Sequence, residues 1–370
     1  MSSEETHSEP ASEPGTRVIE DPENRGRGAG RAPDPAPVVF VGGTGRSGTH
    51  ILARLLSKNV NYGLIPIECR FHADADGFPG LLRGEVSKQQ FVKRLRGYWW
   101  KGFRTDKMRG LHRYVPRDVF DHAVERFEAE YDSHPVQACR NLFFDLLWLE
   151  PKRDEQLAGI IEQSCDTILQ AETMLRLFPE ARFIHAVRDG RDASSSRVSQ
   201  KRLLIYPRTR RQGLDWWEAR LRGVDAGARL IPGDRLIEVE LGSFLEPGRR
   251  KQELRRLLSF AGVSQGRRTK HFVRRRMSSG SANEERWRRG LSDRKQAEID
   301  ARYREIVAAL EADGVSSASL LREALERSDA RRAARARGED PDAAGEDDID
   351  ADDDGDLDEM PEAREREVPE

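Results

Sequence analysis

A glycine-rich turn follows the first apolar run of the chain and concentrates groups that bind anions. The run VVFVGG (38–43) is followed by TGRSGTH (44–50) and then by a helical pattern. Glycines let backbone N–H groups turn inward towards an anion, and the positive end of the following helix dipole points to the same place. Ser47 and Thr49 add hydroxyl donors, and Arg46 adds a fixed cation. The turn predicts an anion site, with a tight strand-to-helix turn as the alternative.

The turn differs from the phosphate loop of nucleotide-hydrolysing enzymes at the residues that bind the transferred phosphate. That loop reads G-x-x-x-x-G-K-[ST], and its Lys binds the β/γ-phosphates while its hydroxyl binds Mg²⁺. Gly43 and Gly48 fit the two glycines. Thr49, however, occupies the Lys position and His50 the hydroxyl position, although Arg46 keeps a cation inside the loop. This set favours a transferred group with less charge than a γ-phosphate and no metal ion, such as a sulfuryl group.

A second segment predicts a second anion-binding group. In FIHAVRDGRDASSS, Arg188 comes directly after a strand pattern and Ser196 follows eight residues later. Ligands of open α/β sheets lie at the carboxyl ends of the strands, so both side chains would face such a ligand. The alternative is that Arg188, Asp189, Arg191 and Asp192 form only local ion pairs with one another.

Strand and helix patterns alternate through the middle of the chain. The strand patterns are VVFVGG, RFIHAV and DRLIEVEL, and the helix patterns include THILARLLSKN, DWWEARLRGVDAGARLI and RKQAEIDARYREIVAALEADG. In PRDVFDHAVERFEAEY we expect one buried face that contains Val119, Ala123, Val124 and Phe127. Gly314 is a candidate C-cap of the last helix pattern. The alternation predicts an α/β fold, a P-loop-like three-layer α/β/α arrangement around a central parallel sheet.

Composition divides the chain into three parts. Residues 1–37 are rich in Pro, Gly, Glu and Ser and are expected to be disordered. Residues 38–325 are expected to form a single domain. Residues 326–370 are expected to be a disordered tail, first basic in RSDARRAARARG and then strongly acidic.

The formal net charge of −2 conceals an uneven distribution. Residues 338–370 contain 17 acidic residues and 2 arginines, whereas residues 38–337 contain 57 basic and 40 acidic residues, a net charge of +17. A basic body indicates an anionic ligand or partner, and a solvated basic surface is the alternative.

The N-terminal sequence, the length of the apolar runs and the cysteine content together predict a cytoplasmic protein. The N-terminus MSSEETHSEPASEPGT lacks the basic start and apolar core of a secretory signal, and no apolar run approaches the length of a membrane helix. Three cysteines, Cys69, Cys139 and Cys165, are an odd and sparse set that argues against a disulfide framework. No cysteine or histidine cluster suggests a metal site.

The two motifs together resemble the donor-binding motifs of sulfotransferases that use 3′-phosphoadenosine 5′-phosphosulfate (PAPS), in the bacterial and tyrosylprotein-type branch. The resemblance extends over about residues 38–314. It implies that the first loop holds the 5′-phosphosulfate, through Gly45, Arg46, Ser47, Gly48, Thr49 and His50. It also implies that Arg188 and Ser196 hold the 3′-phosphate. His50 departs from the family pattern, which usually has a second Thr there.

The same resemblance implies a general base in IPIECRFHADADGFPGLLRG. Members of this branch use a Glu in that segment, which is Glu68 here. Glu68 would deprotonate the acceptor hydroxyl, and Arg46 would offset the charge that develops on the bridging oxygen. The alternatives are that Glu68 forms an ion pair with Arg70, or that His72 is the base.

Two further groups of residues have less specific patterns. In SSGSANEERWRRG, the resemblance implies that a cation beside Trp287 closes over the donor. Arg286 fits this role by its position, and Ser281 is a weaker candidate for a donor contact. The alternative is that this segment is only a surface turn. The aromatic residues 98–100 and 216–217 would line an acceptor pocket or belong to the core.

The resulting hypothesis is transfer of a sulfuryl group from PAPS to a hydroxyl acceptor, without a metal ion. The acceptor and the oligomeric state are left open. Two alternatives are a P-loop kinase or NTPase with an aberrant loop, and a non-enzymatic basic module that binds nucleic acid or an acidic protein. No nucleic-acid-binding motif is visible, so nucleic acid is not an expected partner.

Overall fold

A computed structural model describes seven stretches of the chain, residues 37–59, 62–64, 67–102, 110–147, 159–199, 207–277 and 285–339. All of them lie in the unit that begins at Ala36. The segments 1–36 and 340–370, which include most of the predicted disordered ends, lie outside the described residues.

The central sheet has five strands, and every neighbouring pair is parallel. The strands are β1 (Val38–Gly43), β2 (Tyr62–Leu64), β3 (Gly159–Glu162), β4 (Arg182–Val187) and β5 (Leu236–Glu240), in the spatial order β2-β3-β1-β4-β5. All six residues of β1 are buried, as expected for a parallel strand with both faces covered. The predicted α/β fold with a central parallel sheet is confirmed.

Twelve α-helices surround the sheet in the described part of the chain. They are α1 (Thr49–Leu56), α2 (Phe78–Leu82), α3 (Lys88–Arg94), α4 (Arg117–Glu130), α5 (Pro135–Leu147), α6 (Ala171–Leu177), α7 (Gly190–Val198), α8 (Arg210–Ala228), α9 (Pro247–Ala261), α10 (Arg267–Arg276), α11 (Asp293–Ala312) and α12 (Ala318–Ala336). None of these helices is both long and apolar enough to cross a membrane.

Alternate residues of β1 point into two separate apolar clusters, which define the layers. Val38 and Phe40 pack with helices α2 to α6, whereas Val39 and Val41 pack with α1, α9 and α10. A third cluster joins α7 and α8 to α11 and α12. The sheet therefore lies between two helical layers, as predicted.

One predicted buried face needs a correction. Ala123, Val124 and Phe127 of α4 are buried as expected, but Val119 is 41% exposed. Phe120 is buried in its place, because Phe120, Ala123, Val124 and Phe127 have the i, i+3, i+4, i+7 spacing of a single helical face.

The predicted domain boundary at residue 325 falls inside α12, which continues to Ala336. The helix begins within a buried cluster that includes Leu321 and Leu325. Its basic continuation meets carboxylates of the domain. Arg327 pairs with Glu240 and with Glu246, and Arg331 lies 3.8 Å from Glu246. The arginines that suggested a solvated basic tail therefore attach the helix to the sheet end.

We propose that the folded domain extends to about residue 337, and a truncation tests this. Arg327 and Glu240 are both largely buried, and breaking such a pair costs about 3–5 kcal/mol. A chain of residues 37–325 should therefore have a free energy of unfolding lower by about this amount than a chain of residues 37–339. Urea denaturation of both chains measures the difference. Equal free energies of unfolding for the two chains would indicate that the folded domain ends at residue 325.

Candidate active site

The turn between β1 and α1 has a backbone that most residues cannot adopt. Gly45, Arg46 and Gly48 have φ values of 82°, 62° and 98°, all in the left-handed region. Gly48 is also confined by packing, since a Cβ there would lie 2.6 Å from Leu241 Cδ2. The glycines are thus required for a turn in which successive N–H groups share a concave side.

The turn contains polar groups that no described protein group satisfies. The N–H groups of residues 45–49 form no hydrogen bond within the described chain. The hydroxyl of Ser47, a residue only 1% exposed, also has no partner there. A buried polar group without a partner costs about 1–3 kcal/mol. The loop therefore fits an anionic ligand that accepts these hydrogen bonds.

The second motif contacts this loop directly. Strands β1 and β4 are neighbours, with Gly43 beside Ala186, and Arg188 follows β4 by one residue. Its Nη1 donates to the carbonyl oxygen of Arg46 over 3.3 Å. The Nε of Arg46 in turn donates to Oγ of Ser196 over 2.9 Å. Residues 150 positions apart in the sequence thus form one cluster.

The cluster concentrates positive charge. Burial lowers the pKa of the Arg46 guanidinium, and repulsion from Arg188 and Arg197 lowers it further, while Glu68 opposes the shift. Three guanidinium groups that repel one another gain from an anion placed between them. The cluster therefore favours an anionic ligand.

The other charged residues of the second motif have structural partners. Arg191 is almost fully buried and pairs with Asp189 and with Asp300 of α11. The local ion pairs considered as an alternative therefore exist at Arg191.

Burial, with repulsion from Asp189, raises the pKa of Asp192 to about 7. Ionisation of Asp192 is thus less favourable than for an exposed carboxylate, which leaves the charge of nearby Arg188 less compensated.

Glu68 lies beside the same loop. It follows β2 and places Oε1 3.4 Å from Nε2 of His50, the second residue of α1. Its side chain is 27% exposed, so an acceptor from solvent can approach it. Arg70, the ion-pair partner considered above, instead binds Asp74 over 2.9 Å. Glu68 therefore borders the cationic cluster with a solvent-accessible carboxylate.

His72, the substitute base, is fully buried. Its Nε2 lies 3.0 Å from Oε2 of Glu162, and its ring packs among Phe40, Phe71 and Phe143. An acceptor could reach this imidazole only if the core opened. The arrangement favours Glu68 over His72 as the proton acceptor.

Arg286 lies in a short 3₁₀ turn (Arg286–Arg288) that packs on α7. Trp287 is buried, donates its backbone N–H to Asp192 over 3.0 Å and packs under Arg191. Arg286 is exposed, and its side chain makes no hydrogen bond or ion pair with any described residue. The structure brings the turn to the second motif, but it does not bring the Arg286 side chain to the loop. Ser281 lies outside the described residues.

The aromatic residues divide between core and site. Trp99, Trp100 and Trp217 belong to apolar clusters. Trp216 instead stacks against the guanidinium of Arg197, with 4.9 Å between the ring centroid and Cζ. Its ring also lies 3.8 Å from a Cβ placed on Gly45. Of the aromatic residues 98–100 and 216–217, Trp216 is the one that borders the loop.

Sequence reasoning missed the contribution of β3. This strand ends at Glu162, and the turn after it places Cys165 beside the loop, 3.7 Å from a Cβ placed on Gly45. Glu162 also accepts hydrogen bonds from the backbone N–H and the hydroxyl of Ser164. A strand of four residues is too short to show a periodic pattern of apolar residues. Its signal in the sequence was the short apolar start at residues 159–161, followed by polar residues.

Three solved structures are similar to this chain at low identity. A sulfotransferase from Mycobacterium avium is 15% identical (TM-score 0.39), with 74% of this chain and 76% of that one covered. A sulfotransferase domain from the olefin synthase of Synechococcus PCC 7002 is 16% identical (TM-score 0.41), with 70% of this chain and 91% of that one covered. A sulfotransferase from Alicyclobacillus acidocaldarius is 17% identical (TM-score 0.37), with 75% of this chain and 94% of that one covered. No curated protein matches the chain significantly.

Family membership rests on the sequence that builds this site. A model of the Sulfotransferase family matches residues 37–266, which is more than half of the chain. The match includes β1, the anion loop, Glu68 and the second motif, and it ends before Arg286. Both motifs that meet around Arg46 therefore lie within the matched region, and the chain belongs to the sulfotransferase family.

Proposed function

We propose that this protein transfers the sulfuryl group of PAPS to a hydroxyl acceptor. The observation that carries the proposal is the contact of Arg46 with Ser196 and Arg188, which joins the anion loop to the second motif. A donor with two separate anionic groups matches a site built from two such motifs. Membership of the sulfotransferase family supports the same chemistry.

The donor is assigned to the two motifs as follows. The free N–H groups of the loop and the Ser47 hydroxyl would bind the 5′-phosphosulfate, with Arg46 beside it. Arg188 and Ser196 would bind the 3′-phosphate. The helix dipole of α1 adds to the attraction, since the loop lies at its N-terminus. Arg286 remains a proposed further contact with the donor.

The reaction proposed is a direct in-line displacement. The acceptor oxygen forms a bond to sulfur, and the bond between sulfur and the bridging oxygen of the 5′-phosphate breaks. Glu68 takes the proton of the acceptor hydroxyl, and Arg46 stabilises the negative charge that develops on the bridging oxygen. The products are a sulfate ester and 3′,5′-adenosine bisphosphate (PAP).

The two alternative functions have less support. A kinase or NTPase needs a cation and a hydroxyl in register for the transferred phosphate and Mg²⁺, and Thr49 and His50 occupy those positions. A basic binding module does not require Arg46, Arg188 and Ser196 to meet beneath a loop with unsatisfied N–H groups. Neither alternative accounts for the family match.

Thermal stabilisation by PAP tests the proposal. A ligand that binds only the folded state at 100 times its Kd stabilises by about 2.7 kcal/mol. We expect PAP to raise Tm by several degrees and ATP with Mg²⁺ to raise it much less. The reverse order would favour the kinase alternative, and no response to either nucleotide would contradict PAPS as the donor.

Arg188→Ala is expected to weaken PAP binding by about 10- to 100-fold, because a hydrogen bond to a charged group contributes about 1.5–3 kcal/mol. Turnover at saturating PAPS should change much less, since the 3′-phosphate contact is equal in the ground and transition states. Calorimetry and steady-state kinetics measure the two effects. Arg294→Ala, at an 83% exposed arginine of α11, is the matched control. Unchanged PAP affinity in Arg188→Ala would mean that the second motif is misassigned.

A further inference from the structure

Helix α10 carries a high density of positive charge on its solvent side. Its ten residues, RRTKHFVRRR, include five arginines and one lysine but no acidic residue. Thr269, Val273 and Met277 are buried and have the i, i+4, i+8 spacing of one helical face. The opposite side of the helix presents five exposed side chains, which we call the basic face: Arg267, Arg268, His271, Arg274 and Arg275.

The arginines of α10 differ from those of α12 in how their charge is neutralised. In α12, Arg322 and Arg335 lie 2.7 Å and 3.1 Å from carboxylate oxygens. Among the described residues, by contrast, no carboxylate lies within ion-pair distance of Arg268 or Arg275. Basic residues of α10 also lie three or four positions apart, a spacing at which like charges destabilise a helix. An anionic partner on the basic face would therefore be favoured.

The middle of α10 lies at the end of α1 that is remote from the anion loop. Nζ of Lys58, two residues after α1, lies 5.4 Å from the ring centroid of Phe272. Asn59 donates to Oγ of Ser264, which precedes α10, over 3.1 Å. The anion loop is at the other end of α1, and the eight residues of that helix span about 12 Å. Helix α10 thus provides a second cationic surface, outside the residues assigned to the donor.

The chain itself contains a segment of complementary charge. Residues 346–359, EDDIDADDDGDLDE, include ten acidic residues and no basic one. We propose that this acidic segment docks on the basic face of α10 and shields it from other polyanions. The attraction is electrostatic, so salt weakens it. The docking requires no sulfuryl-transfer activity.

The acidic segment is close enough along the chain to reach α10. Nη1 of Arg335, near the end of α12, lies 3.1 Å from Oε2 of Glu285. Glu285 follows Met277, the buried residue at the end of α10, by eight positions, and eight residues span at most about 29 Å. Residues 337–345 connect α12 to the acidic segment and can themselves span up to about 32 Å. The acidic segment can therefore reach the C-terminal half of α10 within its own chain.

Zero-length carbodiimide cross-linking of the full chain, read by mass spectrometry, tests the contact. The reagent joins a lysine amine to a carboxylate only when the two groups touch. We expect cross-links from Lys58 and Lys270 to residues 346–359 at low ionic strength, and few at about 1 M salt, where charges interact over only about 3 Å. Lys93 of α3 and Lys295 of α11, both exposed, are internal controls. Equal cross-linking of all four lysines would overturn the proposal.

Reversal of charge on the basic face tests its part in the contact. The double variant Arg268→Glu, Arg275→Glu is compared with Arg113→Glu, Arg294→Glu, which changes two exposed arginines elsewhere by the same charge. The first variant should lower the cross-linking yield of the two lysines near α10 by about 2- to 30-fold, the effect of losing two exposed ion pairs. The second should leave the yield close to that of the wild type. Equal yields in both variants would contradict docking on α10.

A DNA-binding measurement tests the shielding, with a duplex of about 20 base pairs as the polyanion probe. The acidic segment is neutralised in the full chain by changing six aspartates to asparagine: Asp347, Asp348, Asp350, Asp352, Asp353 and Asp354. At fixed low salt, we expect this chain to bind the duplex about 10- to 100-fold more tightly, because a tethered competitor acts at a millimolar effective concentration. Fluorescence anisotropy measures the two affinities.

A combined variant identifies the surface that the acidic segment covers. Adding Arg268→Glu and Arg275→Glu to the neutralised chain should remove the gain in DNA affinity. A gain that persists would mean that the acidic segment repels DNA without docking on α10, and no gain on neutralisation would exclude shielding. Tighter PAP binding by the neutralised chain would place the acidic segment at the donor site instead. Each of these three results would overturn the proposal.

Discussion

Glu68→Gln is expected to lower sulfuryl transfer by about 10²- to 10⁴-fold, the usual contribution of a general base. The substitution preserves the shape of the side chain and removes the proton acceptor. Glu68 contacts His50 and borders Arg46, but it is not among the groups assigned to the donor phosphates. PAP affinity and Tm should therefore stay close to those of the wild type. PAP release from PAPS, with a panel of hydroxyl acceptors, measures the loss.

The result for Glu68→Gln separates three roles. A large loss of activity with retained folding and PAP affinity supports the base. A large fall in Tm would mean that the contact of Glu68 with His50 mainly supports the structure. Activity within a few-fold of the wild type would place the base elsewhere, and His72 would then have to become accessible. Glu305→Gln, at a 69% exposed glutamate of α11, controls for the loss of a negative charge.

Arg46→Gln is expected to reduce transfer by about 10²- to 10³-fold, the usual effect of removing one group that stabilises transition-state charge. The neutral amide can still hydrogen-bond to Ser196, but it cannot offset the charge on the bridging oxygen. The rate at saturating PAPS should therefore fall more than PAP affinity does. Single-turnover kinetics together with calorimetry give the two quantities.

Arg46→Lys is the matched variant, because it keeps the cation and loses the guanidinium geometry. We expect it to retain far more activity than Arg46→Gln, since charge rather than a second hydrogen bond carries the effect. Equal losses in both variants would indicate that Arg46 acts through its contact with Ser196. In that event the arginine is structural, and another group must stabilise the leaving phosphate.

The fold class could be predicted because local patterns identify buried parallel strands and the helices between them. At least three of the five or six residues in each of β1, β4 and β5 are apolar, which gives a clear strand pattern. β3 was missed because it has four residues. The boundary predicted at residue 325 falls within α12, because composition cannot distinguish a solvated arginine from one that pairs with a carboxylate, as Arg327 does with Glu240.

The sequence alone determined which residue types could bind an anion and how the loop turns. That information is local, since glycine permits left-handed conformations such as those at Gly45 and Gly48. Tertiary structure alone decided which of the distant groups meet. The strand order places β4 beside β1, so Arg188 reaches the loop, while Arg191 turns away to Asp300. The packing of the segment after β2 beside α1 likewise joins Glu68 to His50, a pair that no local pattern encodes.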